Sequence, residues 1–381
     1  MHIALVRKQY SLKKAGAERY CVNLSRQLQA LGHRVTVIGE LIDDELRSEV
    51  EFLPVKVRHT TSWAKNRSFA ENSAKIIAQH RFDVVHGLSR TASVDCFRVT
   101  DPLQIHWLNV FYRNPLNHFL QRLNPRHRAV LDLERRIYQA PRVRRFITQS
   151  RLDSRLLVEY YGVPEEKIRR IYNGVDATVF NSSAKLQSGA VRDELGLAIN
   201  QPLLVFAAMD FRRKGLGSLL EALRRAREKE AVLLVLGNGG ERRYRAMAER
   251  LGLGKRVIFA GRRQAIQRYY GAGDLFVLPT IYEPFPNVNL EAMACGLPVL
   301  TSATAGGADI IDEGRNGYVI SQPEAIEEMV ERIDHHFSLS CSARQNMSDH
   351  CWATARVMTI EKNARQSLEV FEEVLLEKSR L

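Results

Sequence analysis

What most limits how this chain can fold is a repeated alternation of short apolar, β-branched runs with longer amphipathic stretches. Segments 2–6, 34–39, 82–87 and 145–150 read as strands, and 17–31 reads as a helix between the first two, ended by Gly32. A second series follows, with strands at 202–209, 231–237, 256–259, 275–278 and 297–301 and helices starting near Gly215, Gly240, Gln264 and Glu291. Strands separated by helix-length segments pair in parallel through crossover helices. The pattern therefore predicts an α/β chain of two doubly wound, Rossmann-like domains, and 381 residues suffice for two cores. The turn-forming Asn173-Gly174-Val175-Asp176, followed by the polar stretch 181–189, sets the boundary. The domains are read as 1–172 and 173–352, with a long polar helix over 353–381.

In open parallel sheets ligands bind outside the carboxyl ends of the strands, so chemistry is sought in the loops that follow them. Ala15-Gly16-Ala17-Glu18-Arg19 follows the first strand; its glycine lets backbone N–H groups approach an anion at a helix start, and plain turn geometry explains it equally well. No G-x-G-x-x-G is present, which disfavours a dehydrogenase-type nucleotide fold. Asp210-Phe211-Arg212-Arg213-Lys214-Gly215 reads either as a diphosphate clamp, with a forked Arg beside a point-charge Lys, or as a solvated basic turn. In Glu283-Pro284-Phe285-Pro286-Asn287-Val288-Asn289-Leu290-Glu291 one carboxylate lies on a loop and the other opens a helix, with loop amides between them. Ordinary surface acids give the same spacing, and a glycoside hydrolase pair draws its carboxylates from separate elements.

Glu283 and Glu291, seven residues intervening and Ala292-Met293-Ala294-Cys295-Gly296-Leu297-Pro298-Val299 following, resemble the E-x7-E signature of the family 4 retaining glycosyltransferases. Gly16-Ala17-Glu18-Arg19, Tyr172-Asn173-Gly174-Val175-Asp176 with Phe180, and Arg213-Lys214-Gly215 agree in order and spacing, so the resemblance spans nearly the whole chain. Within the family, Asp210 to Gly215, Phe259-Ala260-Gly261-Arg262, and Asp101 followed by His106-Trp107-Leu108 are most similar to the lipopolysaccharide core glucosyltransferase I group. The resemblance implies a GT-B fold: two Rossmann-like domains facing across a cleft, the first for the acceptor, the second for a nucleotide-sugar, and a final helix crossing back to the first. It implies transfer of a hexose, glucose from UDP-glucose foremost, onto a lipopolysaccharide core or related anionic envelope glycan. Hexosyl or mannosyl transfer from another nucleotide-sugar in O-antigen, capsule or exopolysaccharide synthesis is the alternative.

By the same resemblance Arg213 and Lys214 would hold the donor diphosphate and offset charge on the departing nucleotide, with neither metal nor cofactor expected. Glu291 would bind the ribose and Glu283 would sit by the transferred sugar. The amides of Asn287 and Val288 would face sugar and phosphate, Gly16 would let the first loop approach the phosphates, and Arg262 would meet the base. Retention in this family is described as a front-face reaction through an oxocarbenium-like state. Asp101 and His106 are the other catalytic candidates; a turn cap before Pro102 and a packed or solvent-exposed histidine are their plain structural readings. Ala15-Gly16 stands where many relatives carry two glycines. His335-His336 reads as a helix surface, and Trp107 and Phe111 either as core or as part of an acceptor or membrane surface.

The formal charge of +13 gains meaning from its position: residues 1–180 hold 30 basic and 18 acidic side chains, the remaining 201 hold 26 and 25. Residues 111–151 contain ten Arg, no Lys, and Asp132 and Glu134 alone as acids. This excludes a uniformly basic protein, and no nucleic-acid motif accompanies the charge, so nucleic acid is not an expected partner. An inert scaffold would have no use for Glu283, Glu291, Arg213 and Lys214. Around Arg113, Arg122, Arg126 and Arg128 apolar and cationic residues mix in short helical pieces, a composition suited to an anionic membrane and acceptor phosphate; a solvated basic face is the other reading. Five scattered cysteines indicate neither a disulfide framework nor a zinc site, and no apolar run approaches the ~20 residues of a membrane span. The expected location is cytoplasmic, peripheral on the inner face of the cytoplasmic membrane.

Overall fold

The computed structural model describes residues 1–13 and 16–380; Ala15, in the first of the loops singled out above, lies outside the described residues. The chain divides into two units, Met1–Asn173 with Ile360–Leu381, and Gly174–Thr359.

The first unit carries a parallel sheet of β1 (His2–Val6), β3 (Arg34–Gly39), β5 (Glu51–Pro54), β6 (Val84–Gly87), β7 (Cys96–Arg98), β8 (Arg145–Thr148) and β9 (Ile168–Arg170), in the order β5-β3-β1-β6-β7-β8-β9. β2 (Gln9–Tyr10) and β4 (Leu41–Ile42) form a separate small pair. The connecting helices are α1 (Ala17–Ala30), α2 (Ser62–Gln79), α3 (Gln104–Phe111), α4 (Pro115–Leu123), α5 (Pro125–Tyr138) and α6 (Arg151–Tyr161). Ile3, Ala4, Leu5 and Val6 are wholly buried, the continuous apolar run of a strand covered on both faces. The strands absent from the sequence reading are short or polar: β5 and β9 are charged edge strands, and β7 has three residues. Asn114-Pro115 and Asn124-Pro125 divide the arginine-rich stretch, because each Asn side chain caps the helix that its Pro begins.

The second unit carries β10 (Leu203–Ala207), β11 (Val232–Leu236), β12 (Val257–Gly261), β13 (Leu275–Leu278), β14 (Val299–Ser302) and β15 (Gly317–Ile320) in the order β12-β11-β10-β13-β14-β15, again parallel. Its helices are α7 (Ser188–Glu194), α8 (Leu216–Arg225), α9 (Glu241–Arg250), α10 (Gln267–Ala272), α11 (Asn287–Ala294), α12 (Ile326–Ser338) and α13 (Cys341–Arg356).

Three expectations are corrected. The helix expected to open at Glu291 begins at Asn287, directly after Pro286, so Glu291 lies in its second turn. The single final helix is two: 353–356 end α13, the chain breaks over 357–359, where Thr359 bridges to Val175, and α14 (Ile360–Ser379) follows. The second unit thus runs on to Thr359, and α14 belongs to the first. Third, His336 is no surface residue: it is fully buried, its Nε2 3.0 Å from the Asp274 carbonyl oxygen, and burial pushes its pKa down to about 4. α14 packs Ala364, Val370, Phe371 and Val374 into the same core as Ile3, Leu5 and the α1 residues Cys21, Val22, Leu24 and Leu28. Arg145 and Arg169 reach Glu373 on α14 at 3.1 and 2.8 Å, so part of the basic surplus serves the fold.

In both sheets the strand order reverses once at the centre. The chain leaves β1 towards β3 and later returns on the other side with β6; it leaves β10 towards β11 and returns with β13. The crevice at the carboxyl ends of such a pair is where open α/β sheets bind ligands.

Candidate functional site

The loop after β10 and the loop after β13 meet at the second unit's reversal. Asp210 Oδ1 accepts from the Arg213 N–H at 3.1 Å, tightening the turn that presents Arg213 and Lys214. Gly215 then packs so closely that an added Cβ would stand 2.0 Å from the Pro279 carbonyl oxygen, and its φ of +78° is also a glycine conformation. The Ile281 N–H donates to the Arg213 carbonyl at 2.9 Å, while Ser302 and Thr304 hydroxyls donate to the Thr280 carbonyl at 2.6 and 2.7 Å. The Gly306 N–H donates to the Glu283 carbonyl at 2.9 Å, which fixes the backbone that carries the first glutamate.

These contacts bring charged groups 69 positions apart into one cluster. Lys214 Nζ donates to Glu283 Oε2 at 2.8 Å, and Arg213 Nη1 stands 3.2 Å from the same oxygen. Lys214 is 8% exposed. Burial lowers its pKa, opposed by Glu283, and in a site of low polarity a cation held in place acts more strongly on an anion than it would in water. Asn287 and Val288 form the first turn of α11, the end at which backbone N–H groups and the helix dipole favour negative charge. Glu291 is half-buried one turn further along, and Arg262 is exposed just after β12. Arg213, Lys214 and Glu283 are thus assembled into one cluster, with Asn287 and Val288 heading the helix that follows the Glu283 loop. A separate shallow hollow, lined by Asn238, Glu241, Arg242 and Arg243 among others, includes none of them.

In the first unit the reversal lies between β1 and β6. Gly16 precedes α1 at φ 68°, ψ −117°, a backbone that only glycine adopts readily, and none of the described residues lies within 4 Å of where its Cβ would be. Arg7 and Lys8 follow β1, Glu40 follows β3, and Ser89 and Arg90 come just after β6; all line a polar crevice together with Asp101. Arg7 Nη2 pairs with Glu18 at 2.7 Å, and Arg90 bridges Asp101 at 3.0 Å and the buried Glu134 at 3.1 Å. Asp101 is therefore at this crevice through Arg90. His106 is not among the lining residues: it is half-buried on α3, Nδ1 3.1 Å from the Tyr160 hydroxyl, and burial lowers its pKa. Trp107 and Phe111 stack on each other at 4.2 Å, both half-buried. Arg113, Arg122, Arg126 and Arg128 are all exposed around α4. The sequence reading passed over Lys8, Glu40 and Arg90 because no motif marks them; their place directly after three apolar strands was the available signal.

The family model of Glycosyltransferase Family 4 matches residues 15–179, and that of Glycosyl transferases group 1 matches residues 187–350. The lipopolysaccharide glucosyltransferase WaaG of Escherichia coli is 26% identical over 323 residues, 83% of this chain and 84% of that protein. The uncharacterized glycosyltransferase MJ1607 of Methanocaldococcus jannaschii is 25% identical over 351 residues, 87% and 89% of the two chains. In fold, the chain resembles the crystal structure of WaaG with a TM-score of 0.83 at 23% identity, covering 97% of this chain and 99% of that one. It resembles Anabaena HepE, solved with UDP-glucose, with a TM-score of 0.74 at 19% identity, covering 98% and 100%. Two family models in chain order, one on each doubly wound unit, leave one assignment: the chain belongs to the GT-B glycosyltransferases of family 4 and group 1, and is a glycosyltransferase enzyme.

Proposed function

We propose that the protein is a retaining hexosyltransferase that moves glucose from UDP-glucose onto a lipopolysaccharide core or related anionic envelope glycan at a membrane surface. The observation that carries the reading is the convergence of Lys214 and Arg213 on Glu283 at the β10/β13 reversal. In this reading the two cations take the donor diphosphate, and as the sugar–phosphate bond breaks they stabilise charge on the departing UDP, the task a divalent ion performs elsewhere. Glu283, already within their reach, lies beside the sugar; Asn287 and Val288 direct the α11 terminus at the sugar and phosphates; Glu291 takes the ribose and Arg262 the base. Gly16 leaves open space at the start of α1 for the phosphates, and Asp101 belongs to the acceptor side. His106, held by Tyr160 outside the crevice lining, is assigned to packing. The name of WaaG supports glucose and lipopolysaccharide, and the HepE complex supports UDP-glucose.

The membrane part rests on α4. Leu116, Phe119, Leu120 and Leu123 are 69, 59, 54 and 52% exposed at helical spacing, so one face of the helix is apolar and uncovered. Arg122, Arg126 and Arg128 stand around it without an ion-pair partner among the described residues. Apolar residues that enter the headgroup boundary beside cations for anionic lipid are the composition of an interfacial helix. No helix of the described residues is long and apolar enough to cross a membrane.

A thermal-shift panel of UDP-glucose, GDP-mannose and ADP-glucose tests the donor. Ligand at 100 times its Kd stabilises the folded state by about 2.7 kcal/mol, so UDP-glucose is expected to raise the melting temperature and the others to leave it unchanged. A shift with GDP-mannose alone would replace this donor by the mannosyl alternative.

A further inference from the structure

One side chain of α11 is wholly buried with polar atoms that the fold does not use. Asn289 directly follows Asn287 and Val288 and is 0% exposed, and neither its Oδ1 nor its Nδ2 has a hydrogen-bond partner among the described residues. Burying an amide without hydrogen bonds opposes folding, and an apolar side chain in its place would cost less. The position of this amide is specific. The turn Gly306–Ile310 after β14 packs against it: a Cβ on Gly307 would stand 2.7 Å from Asn289 Nδ2 and 2.9 Å from the Pro286 ring. The Gly307 backbone therefore lies against the amide with no side chain between them. The same turn opens with the Gly306 N–H on the Glu283 carbonyl at 2.9 Å, and Ala305 before it bridges to Glu283. One turn further along α11 stands Glu291.

A hydrogen bond between this amide and that backbone couples the two glutamates of the motif, Glu283 through the turn and Glu291 through the helix. We infer that Asn289 is a positioning residue: in the arrangement that grips the donor its amide hydrogen-bonds to the Gly306–Gly307 backbone and fixes the Glu283 loop against α11. The inference rests on the donor roles proposed above for Glu283 and Glu291. Pairing the amide stabilises the gripping arrangement, and a larger share of molecules in that arrangement raises the apparent affinity for the donor.

Calorimetric titration of the full chain with UDP-glucose, GDP-mannose and ADP-glucose tests it, on wild type and on Asn289→Leu and Asn289→Val, which remove the amide and keep an apolar body in its place. Each variant is expected to melt cooperatively without ligand, and to bind whichever nucleotide-sugar the wild type binds tenfold or more weakly. A crystal structure of the wild type with that nucleotide-sugar is expected to place Asn289 Oδ1 or Nδ2 within hydrogen-bond distance of a backbone atom of residues 305–307. Binding within twofold of wild type in either folded variant overturns the inference, since packing alone then suffices. An amide that is bare in the complex, or paired with an ordered water only, overturns it as well, and this result decides alone if neither variant folds. If the wild type binds GDP-mannose or ADP-glucose and not UDP-glucose, the UDP-glucose reading falls and the variants still decide on Asn289. If the wild type binds none of the three, both fall.

Discussion

The two strand-order reversals are built on one plan and finished differently. At β10/β13 the loops are packed to contact, with Gly215 against the Pro279 carbonyl, and a single carboxylate already gathers both cations. At β1/β6 the glycine before α1 meets none of the described residues within 4 Å, and the charges of the crevice are spread over separate pairs, Arg7 with Glu18, Arg90 with Asp101, and Glu40 with His59 and Lys65. A tightly finished site suits a ligand whose diphosphate is the same for every donor of its class. In the proposed reading the looser one suits the partner that varies among transferases.

The largest expected effect tests the finished site. Lys214→Ala removes a buried cation that the proposed reading sets against the leaving group, a loss of the kind that costs about 10²–10³ in kcat. Glu283→Gln is expected to keep the fold and to lower transfer as well. Steady-state kinetics of the two variants decide this, and near-wild-type kcat in Lys214→Ala would remove the donor assignment.

Next comes a pair of glycines. Gly215→Ala places a Cβ 2.0 Å from a carbonyl oxygen at positive φ, so overpacking and left-handed strain add to about 3 kcal/mol. Gly16→Ala meets none of the described residues and bears the backbone strain alone, about 2 kcal/mol. At roughly 2–4 °C per kcal/mol for units of this size, the first is expected to melt clearly lower than the second in calorimetry. Equal losses would erase the difference in packing between the two reversals.

Each unit also buries a histidine. Burial, with Arg98 adding to it, holds the His86 pKa near 3, and burial holds that of His336 near 4. Both folded-state values lie below the unfolded 6.5, so the unfolded chain takes up the proton first. The neutral rings are compatible with the fold above pH 6.5, and stability falls as pH drops from there towards the folded values. For His336 the loss by pH 5 is about 2 kcal/mol. His336→Leu is expected to flatten this pH dependence while leaving the Asp274 carbonyl oxygen without its partner, a cost of about 1–2 kcal/mol at pH 7. A pH series of melting curves that runs parallel for variant and wild type would disprove the assignment.

Much of the second unit was legible. Continuous apolar strands give β10, β11 and β13 their position, and Arg213, Lys214 and Glu283 stand in loops directly after them. Their convergence was not legible from spacing, since it depends on the glycine contact and on hydroxyls of Ser302 and Thr304 that hold the β13 loop. The helix start at Asn287 was missed because the acid was taken as the marker of the first turn, where proline before the helix and the turn itself governed. His336 was misplaced because its neighbour His335 is polar and exposed, and adjacent helix positions face different ways. Lys8 and Glu40 were invisible for a different reason: neither belongs to a motif, and a crevice made from the ends of three strands and residues of two helices exists only once the sheet order is known.

The smallest effects belong to the surface of the first unit. Each arginine near an anionic leaflet contributes about 1 kcal/mol, roughly fivefold in partitioning. Arg122→Gln with Arg126→Gln is therefore expected to weaken binding to vesicles containing anionic lipid about 25-fold at low salt, and raised salt to do the same to the wild type. Phe119→Asp acts on the apolar face and is expected to weaken binding at every salt concentration, because burying those side chains does not depend on screening. Since no residue of α4 is buried and Arg126 on α5 is exposed, none of these changes is expected to alter the melting temperature. Co-sedimentation with neutral and anionic vesicles separates the two contributions: equal binding to both would leave the arginines without a role, and loss of the salt dependence in Phe119→Asp would tie the two contributions into one.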